Sequence, residues 1–162
     1  MLYYLGVMSA RTAVLATALF ASGSLALPAG AVPKDFKAAD TLMAEVLSGS
    51  LGKPGAPVIL HVGFPAAHRD SRIPGAKGAG PAYSTEGRKR LSAVLAGIPR
   101  DREIVIYCGC CPWEDCPNIL PAFKIIRAAG FKRVRALALP TDYTIDWVNR
   151  GYPVEKGIPK RE

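Results

Sequence analysis

Two short runs constrain this chain most: Pro57-Val58-Ile59-Leu60-His61-Val62 and Ile104-Val105-Ile106-Tyr107, both rich in β-branched residues and apolar at successive rather than alternate positions. A strand with one face in water alternates apolar and polar side chains, whereas a strand covered on both faces has no polar side to present. Both runs therefore read as interior strands of a parallel sheet, and such a sheet needs helices on both faces. The flanking segments agree. Ser84 is placed to cap a helix running through Leu95, with Leu91, Val94 and Leu95 inward and Gly97 and Pro99 ending it. A second helix is predicted from about Pro117 to Ala129, with Ile119, Leu120, Phe123, Ile125 and Ile126 on its apolar side and Gly130 closing it. Val134 to Leu139 reads as a further strand, and Asp142 to Arg150 as a short helix carrying Trp147. At the front, Asp35 to Ser48 places Phe36, Ala39, Leu42, Met43, Val46 and Leu47 at helical spacing. From Val62 to about Tyr83 a long loop is expected, turning at Ile73-Pro74-Gly75-Ala76.

A chain of 162 residues has room for one such core rather than two. Thr12 to Leu27 carry no charge, Arg11 is the only charged residue before them, and no acidic residue precedes Asp35. This pattern reads as a secretory signal peptide, with small residues that allow cleavage near Ala26 or, preferably, after Ala31. The run falls short of the ~20 apolar residues that span a bilayer, so no stable membrane span is expected after cleavage. The expected organisation is a signal peptide over residues 1–31 and a single domain over 32–162, exported to a periplasm or secreted. The formal charge of +8 becomes +7 once Arg11 is removed, and the basic residues are spread rather than blocked. They read as a solvated surface that attracts small anions. An exported protein meets little nucleic acid, so no nucleic-acid partner is expected.

All four cysteines, Cys108, Cys110, Cys111 and Cys116, lie within nine residues that begin where the second buried strand ends. They cannot staple distant parts of the chain, so they mark a site. Reactive groups in open parallel sheets gather at the carboxyl ends of strands, where the next helix offers free N–H groups and the positive end of its dipole. A thiol there, Cys108, is expected to have a lowered pKa and to act as a nucleophile. Tyr107, one residue earlier on the strand, should point to the opposite face. A cysteine phosphatase needs an arginine six positions after its cysteine, and Glu114, Cys116 and Pro117 stand there instead, so that activity is excluded.

Several landmarks occur together and in order. Ile59-Leu60-His61-Val62 is followed by Arg72-Ile73-Pro74-Gly75-Ala76, Ile104-Val105-Ile106-Tyr107-Cys108, Gly130-Phe131-Lys132-Arg133-Val134, Trp147 and Gly151-Tyr152-Pro153-Val154-Glu155. In this the chain resembles the rhodanese-like (sulfurtransferase) domains over about residues 35–157. The resemblance implies a three-layer α/β domain with a central parallel sheet and helices on both faces, a catalytic cysteine at Cys108, and a persulfide cradled by the following loop. It also implies a sulfane-sulfur donor and a thiol or other nucleophilic acceptor as partners, with no cofactor and no metal. The active loop departs from the family's shorter one. It comprises Gly109, Cys110, Cys111, Pro112, Trp113, Glu114, Asp115, Cys116, Pro117 and Asn118. Pro112 and Pro117 remove backbone donors from the cradle, and Glu114 and Asp115 oppose an anionic donor.

Three readings of the cluster follow. In the first, Cys108 carries a persulfide that Cys110, Cys111 or Cys116 resolves. In the second, Cys108 and Cys111 form a C-x-x-C thiol–disulfide pair outside the cytoplasm. In the third, the thiolates hold zinc or copper(I), although the chain lacks the second ligand pair that zinc sites draw from elsewhere. Among the neighbours, His61 is expected on a buried strand as a hydrogen-bonded core or rim residue, and His68 at the surface. Trp113 is expected to shield the sulfur or offer a binding face, Trp147 to pack as part of the closing helix, and Asn118 to cap the helix that follows.

Overall fold

The two apolar runs lie next to each other and in parallel, as β2 (Val58–His61) and β5 (Ile104–Tyr107), with His61 opposite Tyr107 in the register. This is a computed structural model, and it describes residues 35–157. The predicted signal segment and its cleavage sites lie outside those residues. Three further strands complete the main sheet: β1 (Thr41–Met43), β4 (Lys77–Gly78) and β6 (Val134–Ala138). The order is β1-β6-β5-β2-β4, every pair parallel. A separate antiparallel pair joins β3 (Ser71–Arg72) to β7 (Glu155–Lys156). The helices are α1 (Ala44–Ser50), α2 (Pro65–Asp70), α3 (Thr85–Ala96) and α4 (Ile119–Ala128).

Side-chain alternation along β5 divides the core into two layers. Ile104 and Ile106 face α3 and α4, meeting Leu91, Leu95, Ile119, Phe123 and Ile126. Val105 and Tyr107 face the other way, toward Leu42, Leu47, Ile73 and Trp147. Each large side chain removed from water contributes about 1.5–3 kcal/mol, and the sheet is sealed on both faces as the run composition requires. Cys108 continues the alternation on the α3–α4 face, so Tyr107 does point away from it.

Three expectations need correction. The helix predicted over Asp35–Ser48 forms only in its last part, after a 3-10 turn (Ala38–Asp40) and β1. Its apolar residues serve opposite faces of the sheet, Phe36 against Phe123 and Leu42 with Leu47 on the Trp147 side, which one helix cannot do. Pairing of Thr41–Met43 along β6 satisfies the backbone there and overrides helical spacing. The expected loop after Val62 contains α2, β3 and β4, elements too short to leave a period in the sequence. The helix predicted over Asp142–Arg150 is a π-helical turn over Thr144–Val148, where Trp147 is fully buried and its indole N–H donates to Pro153 O at 2.8 Å. Ser84 caps α3 as expected, its hydroxyl accepting from Gly87 N at 3.0 Å.

Candidate active site

β5 hands over to the cysteine loop through Gly109, whose φ of +80° is a conformation that L side chains rarely adopt. A Cβ there would stand 2.5 Å from Tyr143 Cβ, and Gly109 O accepts from Tyr143 N at 3.1 Å, so the turn is fixed from both sides. The loop is pinned again at its middle. Trp113 N donates to Leu139 O at 3.1 Å, and the indole packs edge-on to Phe36 with centroids 5.5 Å apart. Trp113 is therefore a core anchor, 6% exposed, in the same buried cluster as Cys108 and Cys116, and not an open binding face. From Pro112 onward the chain winds through successive turns, Asp115 N to Pro112 O, Cys116 N to Trp113 O and Ile119 N to Cys116 O, into α4. Pro112, Glu114, Asp115 and Pro117 are left exposed on the outer side.

This path gathers sulfur. All four cysteines are thiols, and Cys108 Sγ lies 3.2 Å from Cys110 Sγ. The Sγ atoms of Cys108, Cys110 and Cys116 stand within 4.8 Å of one another. Cys111 touches the group through Cys110, at 3.4 Å. The turn at Gly109 brings Cys110 against Cys108, while Cys111 meets Cys110. Three soft donors at this spacing match a thiolate metal site, because sulfurs ~2.3 Å from one ion stand ~4 Å apart. Cys108, Cys110 and Cys116 are the residues that would hold such an ion.

Asn118 was expected to cap α4, but its side chain makes no cap bond. It is buried, accepts from Tyr83 N at 3.2 Å and donates Nδ2–H to Cys108 Sγ at 3.4 Å. It therefore orients the β5 sulfur. The charge is distributed differently from the sequence expectation. The lowered thiol is Cys116, held at about 6 by the Cys108 S–H that points at it, against the opposing effect of burial, and by the N–H groups of Asn118 and Ile119 at the start of α4. Cys108 moves the other way, since it donates to Cys116, is buried, and lies beside negative charge on Cys116. Cys111 is pushed up to about 12, by burial first and then by its bond to Cys110. The helix tip stabilises a thiolate as anticipated, but on the sulfur eight residues further along the chain.

His61 supports the site from β2. Its Nε2–H donates to Cys108 O at 2.8 Å, which leaves Nδ1 as a buried lone pair with no partner among the described residues. Burial drives its pKa down to about 4; the bond to Cys108 O opposes this and nearby His68 adds to it. His68, expected at the surface, is half-buried on α2 and stacks on His61 with centroids 5.3 Å apart. Gly63 closes the contact: a Cβ there would come within 2.9 Å of His61 Nε2 and 3.0 Å of Cys108 Sγ. A cavity of about 230 Å³ opens beside Cys108 and Cys110, bounded by His61, Ser71 and Tyr143. A second, of about 310 Å³, is also lined by His61 and brings in His68, Arg69 and Arg90. The parts of the site that the sequence left unmarked are Gly63 and Tyr143, and His68 was read only as a surface residue.

No family model and no curated protein matches the chain. Solved structures do. The rhodanese-like domain of the Alr3790 protein from Anabaena sp. aligns with a TM-score of 0.54 at 23% identity, over 76% of this chain and 83% of that one. The BH2092 protein of Bacillus halodurans gives 0.57 at 20% identity, over 73% and 77%. A thiosulfate sulfurtransferase from Pseudomonas aeruginosa gives 0.55 at 24% identity, covering 78% of this chain and 21% of that one. Identity this low speaks to architecture alone. The chain has the rhodanese-like α/β fold, a central five-stranded parallel sheet with helices on both faces.

Proposed function

We propose that the protein is an exported sulfurtransferase or sulfur carrier that holds sulfane sulfur as a persulfide on Cys108. The observation that carries this reading is the position of Cys108 Sγ, at the carboxyl end of β5, beside a cavity, with Asn118 Nδ2–H and the sulfurs of Cys110 and Cys116 around it. In the resting cluster the proton sits on Cys108 and the charge on Cys116. As a donor R–S–S enters, Cys116 takes that proton and the freed Cys108 thiolate attacks the donor's outer sulfur. A Cys108–S bond forms, the donor's S–S bond breaks, and the remainder leaves with the electron pair. A nucleophilic acceptor then attacks the outer sulfur, Cys108 leaves as thiolate, and the proton returns from Cys116.

Export rests on the uncharged segment from Thr12 to Leu27, and among the described residues no helix is long and apolar enough to cross a membrane. Recovery of a chain beginning just after Ala31 or Ala26 would support it. The test of the chemistry is sulfur transfer from thiosulfate or polysulfide to cyanide or a thiol. Cys108→Ser is expected to lower it by about a thousandfold or more, whereas Cys116→Ser lowers it about tenfold and moves the pH profile upward from about 6. Full transfer by Cys108→Ser would refute this role for Cys108.

A further inference from the structure

Building on the reading of Cys108 as sulfur acceptor, we propose that Cys110 gives the protein a second activity, reduction of the bound sulfane sulfur to hydrogen sulfide. The placement of two side chains supports this. Cys110 Sγ is 3.2 Å from Cys108 Sγ, and both residues line the same 230 Å³ cavity. The turn between them is not free to splay, because Gly109 is locked in its left-handed conformation against Tyr143. A disulfide bond is ~2.05 Å long, so the two sulfurs have about 1.2 Å to close.

The other two thiols are worse placed for this step. Cys111 makes its sulfur contact with Cys110 rather than Cys108. Cys116 is buried to 5% exposure at the start of α4, where a disulfide that included it would be closed to an external reductant. Cys110 is exposed, so a disulfide that includes it stays open to an external reductant.

The step balances. Cys110 gives up its proton and its thiolate attacks Sγ of the Cys108 persulfide. A Cys108–Cys110 disulfide forms, the bond from Sγ to the outer sulfur breaks, and that sulfur leaves as HS⁻ with the electron pair. The two cysteines lose two electrons together, and the sulfane sulfur gains them. An external dithiol, on a protein or a small molecule, then reduces the disulfide and resets the site.

The test uses the full chain, reduced, exposed to sodium tetrasulfide, freed of excess by gel filtration and held without added thiol. Wild type is expected to release about one sulfide per loaded chain and to end ~2 Da below its reduced mass, the loss of two hydrogens. Cys110→Ser is expected to keep an adduct of about +32 Da and to release sulfide at least about tenfold more slowly, while Cys111→Ser behaves as wild type. Release from Cys110→Ser at the wild-type rate, or a wild-type adduct that persists, would overturn the internal step and leave Cys108 as a carrier. If neither chain takes up sulfur, the carrier reading falls and this activity falls with it.

Discussion

The carboxyl ends of β2 and β5 lie side by side, and the same burial has opposite consequences for them. At the end of β2, His61 is 3% exposed, and desolvation keeps its ring neutral and bound to Cys108 O. At the end of β5, Cys108 and Cys116 are each 5% exposed, yet the α4 N–H groups and the Cys108 S–H hold Cys116 as a thiolate at neutral pH. Burial alone favours the neutral form, and what separates the two ends is the supply of donors. His61 finds one acceptor and becomes a prop, whereas the β5 end finds several donors and becomes reactive.

The largest effect expected from disturbing this contrast is on pH stability. His61 titrates near 6.5 when unfolded and near 4 when folded, so between those values the unfolded chain binds more protons and stability falls as pH falls. The loss through that window is about 3 kcal/mol. His61→Gln, which cannot titrate, should show a flatter dependence in denaturant unfolding from pH 6.5 down to 4. Equal slopes would mean that the folded ring is charged. Next in size is Gly63→Ala. Its Cβ would press on His61 Nε2 and Cys108 Sγ together, so a loss of about 1–3 kcal/mol is expected, with sulfur uptake reduced in parallel. Unchanged stability and uptake would show that the two strand ends are not in close contact. The smallest effect belongs to the β5 loop alone. Neutralising exposed Glu114 and Asp115 as Glu114→Gln and Asp115→Asn should raise uptake from thiosulfate about two- to fivefold at low salt, with the gain fading at high salt. A salt-independent change would exclude charge as the cause.

What the sequence disclosed divides along the same line. The interior strands were legible because two covered faces leave no polar position in Val58–His61 or Ile104–Tyr107, and α3 was legible through the Ser84 cap. β1 was not, because Leu42 and Leu47 serve one face while Phe36, a few residues earlier, serves the other, and helical spacing cannot distinguish that split from a stripe. Spacing located the sulfur site but not its internal order. Which thiol meets which depends on the left-handed turn at Gly109, and which thiol is charged depends on the winding from Trp113 into α4 that brings Cys116 to the helix start. Asn118 looked like a cap because it precedes a helix; its carboxamide instead bridges Tyr83 N and Cys108 Sγ.

The central claim concerns one sulfur atom. Peptide mapping by mass spectrometry, on Cys110→Ser chain loaded with polysulfide so that the adduct is trapped, tests it most directly. The added mass of about 32 Da should fall on Cys108, with none on Cys116. An adduct on Cys116, still formed when Cys108 is also replaced by serine, would contradict the claim and make the thiolate at the start of α4 the sulfur acceptor.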